Sequence, residues 1–141
     1  ADEMLQYDAL ILGTPTYGIN QLPGKSTKVL EGCWEEFMPQ LQGRDLSGKT
    51  IALYGLGDQE KYPDRFVHSL IHLYDWCKTG GAQVVGQWST DGYTFEHSPS
   101  VIDGQFVGLI IDQRSQSLLT DERLATWIAQ IKPALVEKLT D

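Results

Sequence analysis

Two apolar runs, each followed by a Gly-rich loop, constrain the fold of this chain most. Residues 7–12 precede the loop 13–18 and residues 49–54 precede the loop 55–62, and each loop contains one tyrosine. Neither run alternates apolar with polar residues, which indicates strands covered on both faces, as in a parallel sheet. The carboxyl ends of such strands lie at one edge, so we expect the two loops to line a crevice that a flat ligand can enter.

Two further apolar runs, at residues 83–88 and 106–111, complete the predicted strands. Helical patterns alternate with them, at about residues 27–41, from about residue 64 to residue 79, and from Thr120 onwards. This order of strands and helices predicts an α/β fold.

The apolar stripe of each predicted helix indicates which side chains face the sheet. In chain order the three sets are Leu30, Trp34, Phe37 and Leu41; Phe66, Val67, Leu70, Ile71 and Tyr74; and Leu124, Trp127, Ile128, Ile131 and Leu135. The second helix should end where Gly80 and Gly81 permit a left-handed cap. The third should begin at Thr120, a cap residue followed by two acids that suit the helix dipole.

Composition limits the classes of protein that fit. A chain of 141 residues with 41% hydrophobic content predicts one domain, and a net charge of −8 argues against binding to nucleic acid or to an anionic membrane. No apolar run approaches the roughly 20 residues of a membrane span, and no signal peptide is evident, so we expect a cytoplasmic protein. Cys33 and Cys77 match no zinc or redox spacing and are predicted to be reduced thiols.

Four motifs carry a family resemblance: Gly13-Thr14-Pro15-Thr16-Tyr17-Gly18, Tyr54-Gly55-Leu56-Gly57-Asp58-Gln59, Trp88-Ser89-Thr90-Asp91-Gly92-Tyr93 and Phe106-Val107-Gly108-Leu109. In order and spacing they resemble the long-chain flavodoxins, and the resemblance extends from residue 7 to about residue 135. It implies a flavodoxin-like three-layer α/β sandwich with a parallel sheet of order 2-1-3-4-5, an FMN cofactor and one-electron transfer.

The chain begins where the family's third strand begins, so the first strand, its phosphate loop, the first helix and the second strand have no counterpart in it. Residues 9–12 also lack the charge, proline or bulge that protects a sheet edge, which predicts a neighbouring strand. We therefore expect an N-terminally truncated single domain over residues 1–141, with residues 89–105 as the long-chain insertion that splits the last strand. Without the phosphate loop, the affinity of the isolated chain for FMN should be weak.

The resemblance also implies a role for residues of both loops. Tyr62 would stack on one face of the flavin ring and Tyr17 on the other, and Asp58 would accept a hydrogen bond near the pyrimidine edge. Gly55 and Gly57 would let the backbone approach the ring. Gly18 would permit a peptide flip whose carbonyl accepts a hydrogen bond from N5 of the one-electron-reduced flavin. The other predicted contacts are Thr14, Pro15, Thr16, Leu56 and Gln59.

Simpler interpretations exist for these residues. Without the family, Tyr17 and Tyr62 are half-exposed loop tyrosines and Asp58 is a turn aspartate. His68 and His72 have the spacing of a metal clamp on a helix, but the rest of a zinc signature is missing and a solvated helix face is the better interpretation.

The resemblance also marks one departure from the family: Arg114 stands where many relatives carry an acid, which would alter partner docking or the local potential.

The resemblance therefore implies a low-potential FMN carrier that moves single electrons between a reductase and redox enzymes, and that is not itself an enzyme. Its acidic surface predicts partners with basic docking surfaces, and the complete protein is expected to be a monomer. Two alternatives stay open: a flavodoxin-like NAD(P)H or quinone oxidoreductase domain, and a binding module that kept the fold without the cofactor.

Overall fold

The computed structural model describes residues 4–15, 34–64 and 66–140 of the chain. The strands in these ranges are β1 (Ala9–Thr14), β2 (Thr50–Leu56), β3 (Gln83–Val85), β4 (Trp88–Ser89), β5 (Val101–Ile102), β6 (Gln105–Phe106) and β7 (Leu109–Ile111). The helices are α1 (Trp34–Leu41), α2 (Leu70–Gly80) and α3 (Thr120–Thr140), with 3-10 turns at Met4–Gln6 and Ser117–Leu119. The predicted residues 27–33 of the first helix lie outside the described residues.

Four parallel strands form the central sheet. β1 pairs with β2 in a register that sets Ala9 opposite Thr50 and Thr14 opposite Gly55. The other edge of β2 is shared, because β3 pairs with its residues 50–52 and β7 with its residues 54–56. The carboxyl ends of β1, β2 and β7 therefore meet at one edge of the sheet, as the two apolar runs with their loops predict.

The sheet separates two apolar clusters, because successive side chains of a strand face opposite sides. Ile51 and Leu53 of β2 lie in the larger cluster, together with buried residues of α1 and α2. Ala52 lies in the other cluster, where it is joined by Trp127 and Ile131 of α3. Helices thus cover both faces of the sheet, which confirms the predicted three-layer α/β fold.

The start of α2 differs from the prediction. The helix begins at Leu70 rather than near residue 64, and the residues before it form turns. Val67 has a φ of 46°, which no right-handed helix accommodates. The hydroxyl groups of Ser98 and Ser100 donate to the carbonyl oxygens of Phe66 and Val67, respectively, which ties the turn before the helix to residues 98–100. The predicted end is confirmed, since Gly81 caps the helix with a φ of 91°.

α3 begins at Thr120 as predicted, but its buried stripe is narrower than expected. Trp127 and Ile131 are buried and Leu135 is half-buried. Leu124 and Ile128 were predicted to be buried and are instead 40% and 41% exposed. Positions four residues apart form one row along a helix, and only the row 127-131-135 faces the sheet.

Residues 88–106 form a separate antiparallel sheet in the order β4-β6-β5. Tyr93 ties this segment to the rest of the protein: its hydroxyl donates to the carbonyl of Ile110 and accepts from the indole of Trp88. The Arg123 guanidinium of α3 lies 4.0 Å from the centre of the Tyr93 ring. The segment is thereby fixed beside the carboxyl end of β7.

Candidate functional site

A cavity of about 550 Å³ lies at the carboxyl ends of β1, β2 and β7. Its wall consists of Pro15, Leu56, Gly57, Asp58, Lys61, Tyr62, Ile111, Gln113 and Arg114. The size is within the usual range for a small-molecule site. Five residues that the sequence predicts as cofactor contacts, namely Pro15, Leu56, Gly57, Asp58 and Tyr62, thus lie around one cavity.

Other predicted contacts have different positions. Thr14 is buried, and its hydroxyl donates to the carbonyl of Pro15 at 2.9 Å. Gly55 and Gln59 are buried behind the wall. Thr16, Tyr17 and Gly18 lie outside the described residues.

The structure gives Gly55 and Gly57 a packing reason for being glycine. A Cβ on Gly57 would lie 2.5 Å from Val67 and 3.0 Å from Phe66, and one on Gly55 would lie 3.3 Å from Leu70. The first of these distances is shorter than any real contact, so a side chain at residue 57 requires the turn before α2 to move. The packing of this turn therefore requires glycine at residue 57 whether or not a ligand is bound. The sequence analysis did not predict this packing role.

Asp58 is held in place by its own loop and by the loop after β7. Its Oδ1 atom accepts hydrogen bonds from the backbone N–H groups of Glu60 and Lys61, at 3.2 and 3.1 Å, and from the Ser115 hydroxyl at 3.0 Å. The two backbone bonds are those of a turn aspartate. The bond from Ser115 joins the two loops across the cavity wall.

Asp112 is a second aspartate at this edge of the sheet, and the sequence interpretation missed it. The side chain is fully buried, and its Oδ2 atom accepts from the Gln59 backbone N–H at 2.9 Å and from the Gln59 amide at 2.8 Å. Its Oδ1 atom accepts from the Ser115 N–H at 2.8 Å. The available sequence signal was its position directly after the apolar run 106–111, which was itself predicted to be a strand.

Charged side chains of both signs line the cavity. Lys61 and Arg114 are exposed on its wall, and the Lys61 ammonium is 5.4 Å from the centre of the Tyr62 ring. With Asp58, the three formal charges of the wall sum to +1 in a chain of net charge −8. The cavity is therefore less acidic than the protein as a whole.

No group of three or more His, Cys, Asp or Glu side chains suited to a metal lies within the described part of the chain. His68 is buried in the turn before α2, whereas His72 lies on α2, so the predicted helical pair does not form. The solvated position expected for His68 is also wrong. Cys77 is a buried free thiol, as predicted, and Cys33 lies outside the described residues.

The fold and the cavity define a class: open α/β proteins that bind a flat ligand at the carboxyl ends of parallel strands. A sequence model of the family described as "Flavodoxin" matches residues 1–127. The chain is 44% identical over 131 residues to a flavodoxin of Klebsiella pneumoniae, covering 93% of this chain and 74% of that protein. It is 42% identical over 133 residues to flavodoxin 1 of Azotobacter vinelandii, covering 93% and 72%.

A solved structure supports the same relationship. The flavodoxin of Fusobacterium nucleatum, bound to flavin mononucleotide, superposes with a TM-score of 0.85 at 33% identity and covers 96% of this chain and 76% of that one. The chain belongs to the flavodoxin family. The family that the four sequence motifs indicate is thereby confirmed, and assignment to the long-chain flavodoxins stays a prediction.

Proposed function

We propose that this chain binds FMN in the cavity at the carboxyl ends of β1, β2 and β7 and acts as a low-potential one-electron carrier. The observation that supports this most is the convergence of Pro15, Leu56, Gly57, Asp58 and Tyr62 on one cavity. Membership of a family of electron-transfer proteins supports it independently. It also disfavours the two alternatives, an oxidoreductase domain and a cofactor-free module.

The lining fits a flavin ring in chemistry as well as in size. Pro15, Leu56 and Ile111 supply apolar wall, Tyr62 supplies an aromatic face, and Asp58 supplies an acceptor at the edge. Bound FMN supplies the redox chemistry. The protein holds the ring, limits its contact with water, and places the Asp58 charge where it disfavours added electrons, while Lys61 and Arg114 act in the opposite direction.

The other predicted contacts enter this proposal in different ways. Gly55 and Gln59 support the wall from behind, and Thr14 fixes the start of the first loop. Thr16, Tyr17 and Gly18 are proposed as contacts on the resemblance of their motif. We further propose that residues 1–141 form a single domain, with residues 89–105 as an insertion.

Flavodoxins exchange electrons with redox partners, and we expect the same here. The net charge of −8 favours partners with basic docking surfaces. None of the helices in the described part of the chain is long and apolar enough to cross a bilayer. A cytoplasmic location and a monomeric state stay predictions.

Titration of FMN fluorescence tests the proposed site. We expect the protein to quench the flavin and the Tyr62→Ala substitution to weaken binding by about 1–2 kcal/mol, roughly 5- to 30-fold, because a stacking wall is lost. Tyr7→Ala is the matched control, since Tyr7 is 58% exposed and precedes β1 at the opposite end of the sheet.

Two results would count against the proposal. Absence of quenching both by this chain and by a version extended with the amino-terminal segment of a flavodoxin would favour the cofactor-free module. Quenching together with steady turnover of NAD(P)H and a quinone would favour the oxidoreductase.

A further inference from the structure

The buried carboxylate of Asp112 joins the two loops that form the wall of the cavity. In the loop of residues 57–62, the backbone and side-chain amides of Gln59 donate hydrogen bonds to Asp112. In the loop of residues 112–116, the backbone N–H of Ser115 does the same. All three donors are neutral amides, so both oxygens of Asp112 serve only as acceptors. A carboxylate suits this arrangement, because it offers acceptors on both sides and no donor.

The contacts continue from Asp112 to the cavity surface. Ser115, whose N–H is fixed by Asp112, uses its hydroxyl to donate to Asp58 at 3.0 Å. Gln59, held by Asp112 on its amide nitrogen, accepts from the Thr94 N–H through its amide oxygen. Both wall loops and the 88–106 segment are thus tied to a single buried side chain.

We propose that Asp112 is a positioning residue that orients Asp58 and residues 57–62 for FMN, acting through Ser115 and Gln59. It is not among the residues of the cavity wall. Its effect on the flavin passes through the position of the loops and through the field of a carboxylate buried behind them. The inference rests on the proposed function, because it assigns Asp112 a role toward the same ligand.

The Asp112→Asn substitution separates this role from simple packing, since it keeps the size of the side chain. One oxygen becomes an NH₂ group that faces an N–H donor, so at least one amide of Gln59 or Ser115 loses its acceptor. We expect the dissociation constant of FMN to rise roughly 10-fold or more. We also expect the amides of Gln59 and Ser115 to exchange hydrogen faster in the FMN-free protein.

Lys49→Met is the matched control for loss of a buried charged group. Lys49 directly precedes β2 and is 8% exposed. Its ammonium donates to the carbonyls of Leu5 and Tyr7. The length of β2 separates it from the cavity by roughly 20 Å. Lys49→Met should lower the midpoint of urea unfolding without changing the FMN dissociation constant by more than about 2-fold, or the reduction potentials of bound FMN.

Ser115→Ala tests the proposed route to Asp58. As a single substitution it should weaken FMN binding. Combined with Asp112→Asn it should add little, because both substitutions interrupt one chain of contacts.

The reduction potentials of bound FMN should shift in Asp112→Asn and stay unchanged in Lys49→Met.

The possible outcomes distinguish this inference from the proposed function. If the unsubstituted protein binds FMN and Asp112→Asn binds it equally well with unchanged potentials, the inference is wrong and the proposed function stands. Additive effects of Asp112→Asn and Ser115→Ala would overturn the route through Ser115. Failure to bind FMN, both by the unsubstituted protein and by a version extended with the amino-terminal segment of a flavodoxin, would overturn both the proposed function and this inference.

Discussion

At the scale of single residues, the charges around the cavity set the electrostatic environment of a bound ligand. Asp58 is fixed by three hydrogen bonds to one oxygen, whereas Lys61 and Arg114 are exposed on the wall. A fixed charge in a partly buried position acts more strongly than a mobile charge in water. Asp58 should therefore lower the potential of bound FMN more than either cation raises it.

Arg114→Glu should make the potential for adding the second electron to bound FMN more negative. The substitution replaces a cation on the cavity wall by an anion, and for exposed charges the expected effect is about 1 kcal/mol, on the order of 40 mV for a one-electron step. Spectroelectrochemical titration measures it.

Lys132→Glu is the control for Arg114→Glu, because it makes the same change in net charge. Lys132 is exposed on α3. It lies 12 residues beyond Thr120, the first residue of that helix, and the two residues are roughly 18 Å apart along the helix axis. An equal shift in both variants would mean that net charge, and not the cavity wall, controls the potential.

At the scale of elements, residues 88–106 determine where α2 begins. The Ser98 hydroxyl donates to the Phe66 carbonyl, and the Phe66 N–H donates to the carbonyl of His97. The Val67 carbonyl accepts from the Ser100 hydroxyl as well as from the Leu70 N–H. The resulting turn brings Phe66 and Val67 against Gly57 in the cavity wall. A segment outside the central sheet thus shapes the site.

Ser100→Ala should lower the free energy of unfolding by about 1–2 kcal/mol. Ser100 is fully buried, and its loss leaves the carbonyl of Val67 without the hydroxyl that donates to it at 2.7 Å. Urea unfolding measures the change. Ser89→Ala, at an exposed serine of the same region, should change stability by less than about 0.5 kcal/mol. Equal losses in the two variants would contradict the role given to Ser100.

At the scale of the whole molecule, a buried thiol and a half-buried phenol make stability depend on alkaline pH. Burial raises the pKa of Cys77 from 9.0 to about 12, and burial also raises the pKa of Tyr93 above 10.0. Above pH 9 the unfolded chain loses the Cys77 proton while the folded protein retains it. The stability that this group contributes is therefore complete below pH 9 and is lost as pH rises towards 12.

Urea unfolding between pH 8.5 and pH 11 should show this loss, at up to about 1.4 kcal/mol per pH unit for one proton. Cys77→Ala should lower stability at every pH, since a buried side chain is shortened, but should flatten the slope above pH 9. An unchanged slope in Cys77→Ala would show that other groups cause the alkaline loss.

The fold class and the position of the two Gly-rich loops were predictable from local sequence. Unbroken apolar runs indicated buried parallel strands, Gly80 and Gly81 indicated the end of α2, and Thr120 with two acids indicated the start of α3. Each of these signals acts over a few neighbouring residues, through side-chain burial or backbone conformation. The ends of the first two strands were thereby expected at one edge of the sheet, whereas Pro15, Leu56, Gly57, Asp58 and Tyr62 were proposed as contacts on the family resemblance.

Only the tertiary structure determined the features that depend on contacts between distant residues. The late start of α2 depends on Ser98 and Ser100, and the exposure of Leu124 and Ile128 depends on which row of α3 meets the sheet. Gln59 and Asp112 are 53 positions apart, and no local pattern pairs an amide with a carboxylate over that separation. Periodicity predicts which elements form, because it is a property of neighbouring residues, whereas hydrogen bonds between loops exist only once the sheet has brought their ends together.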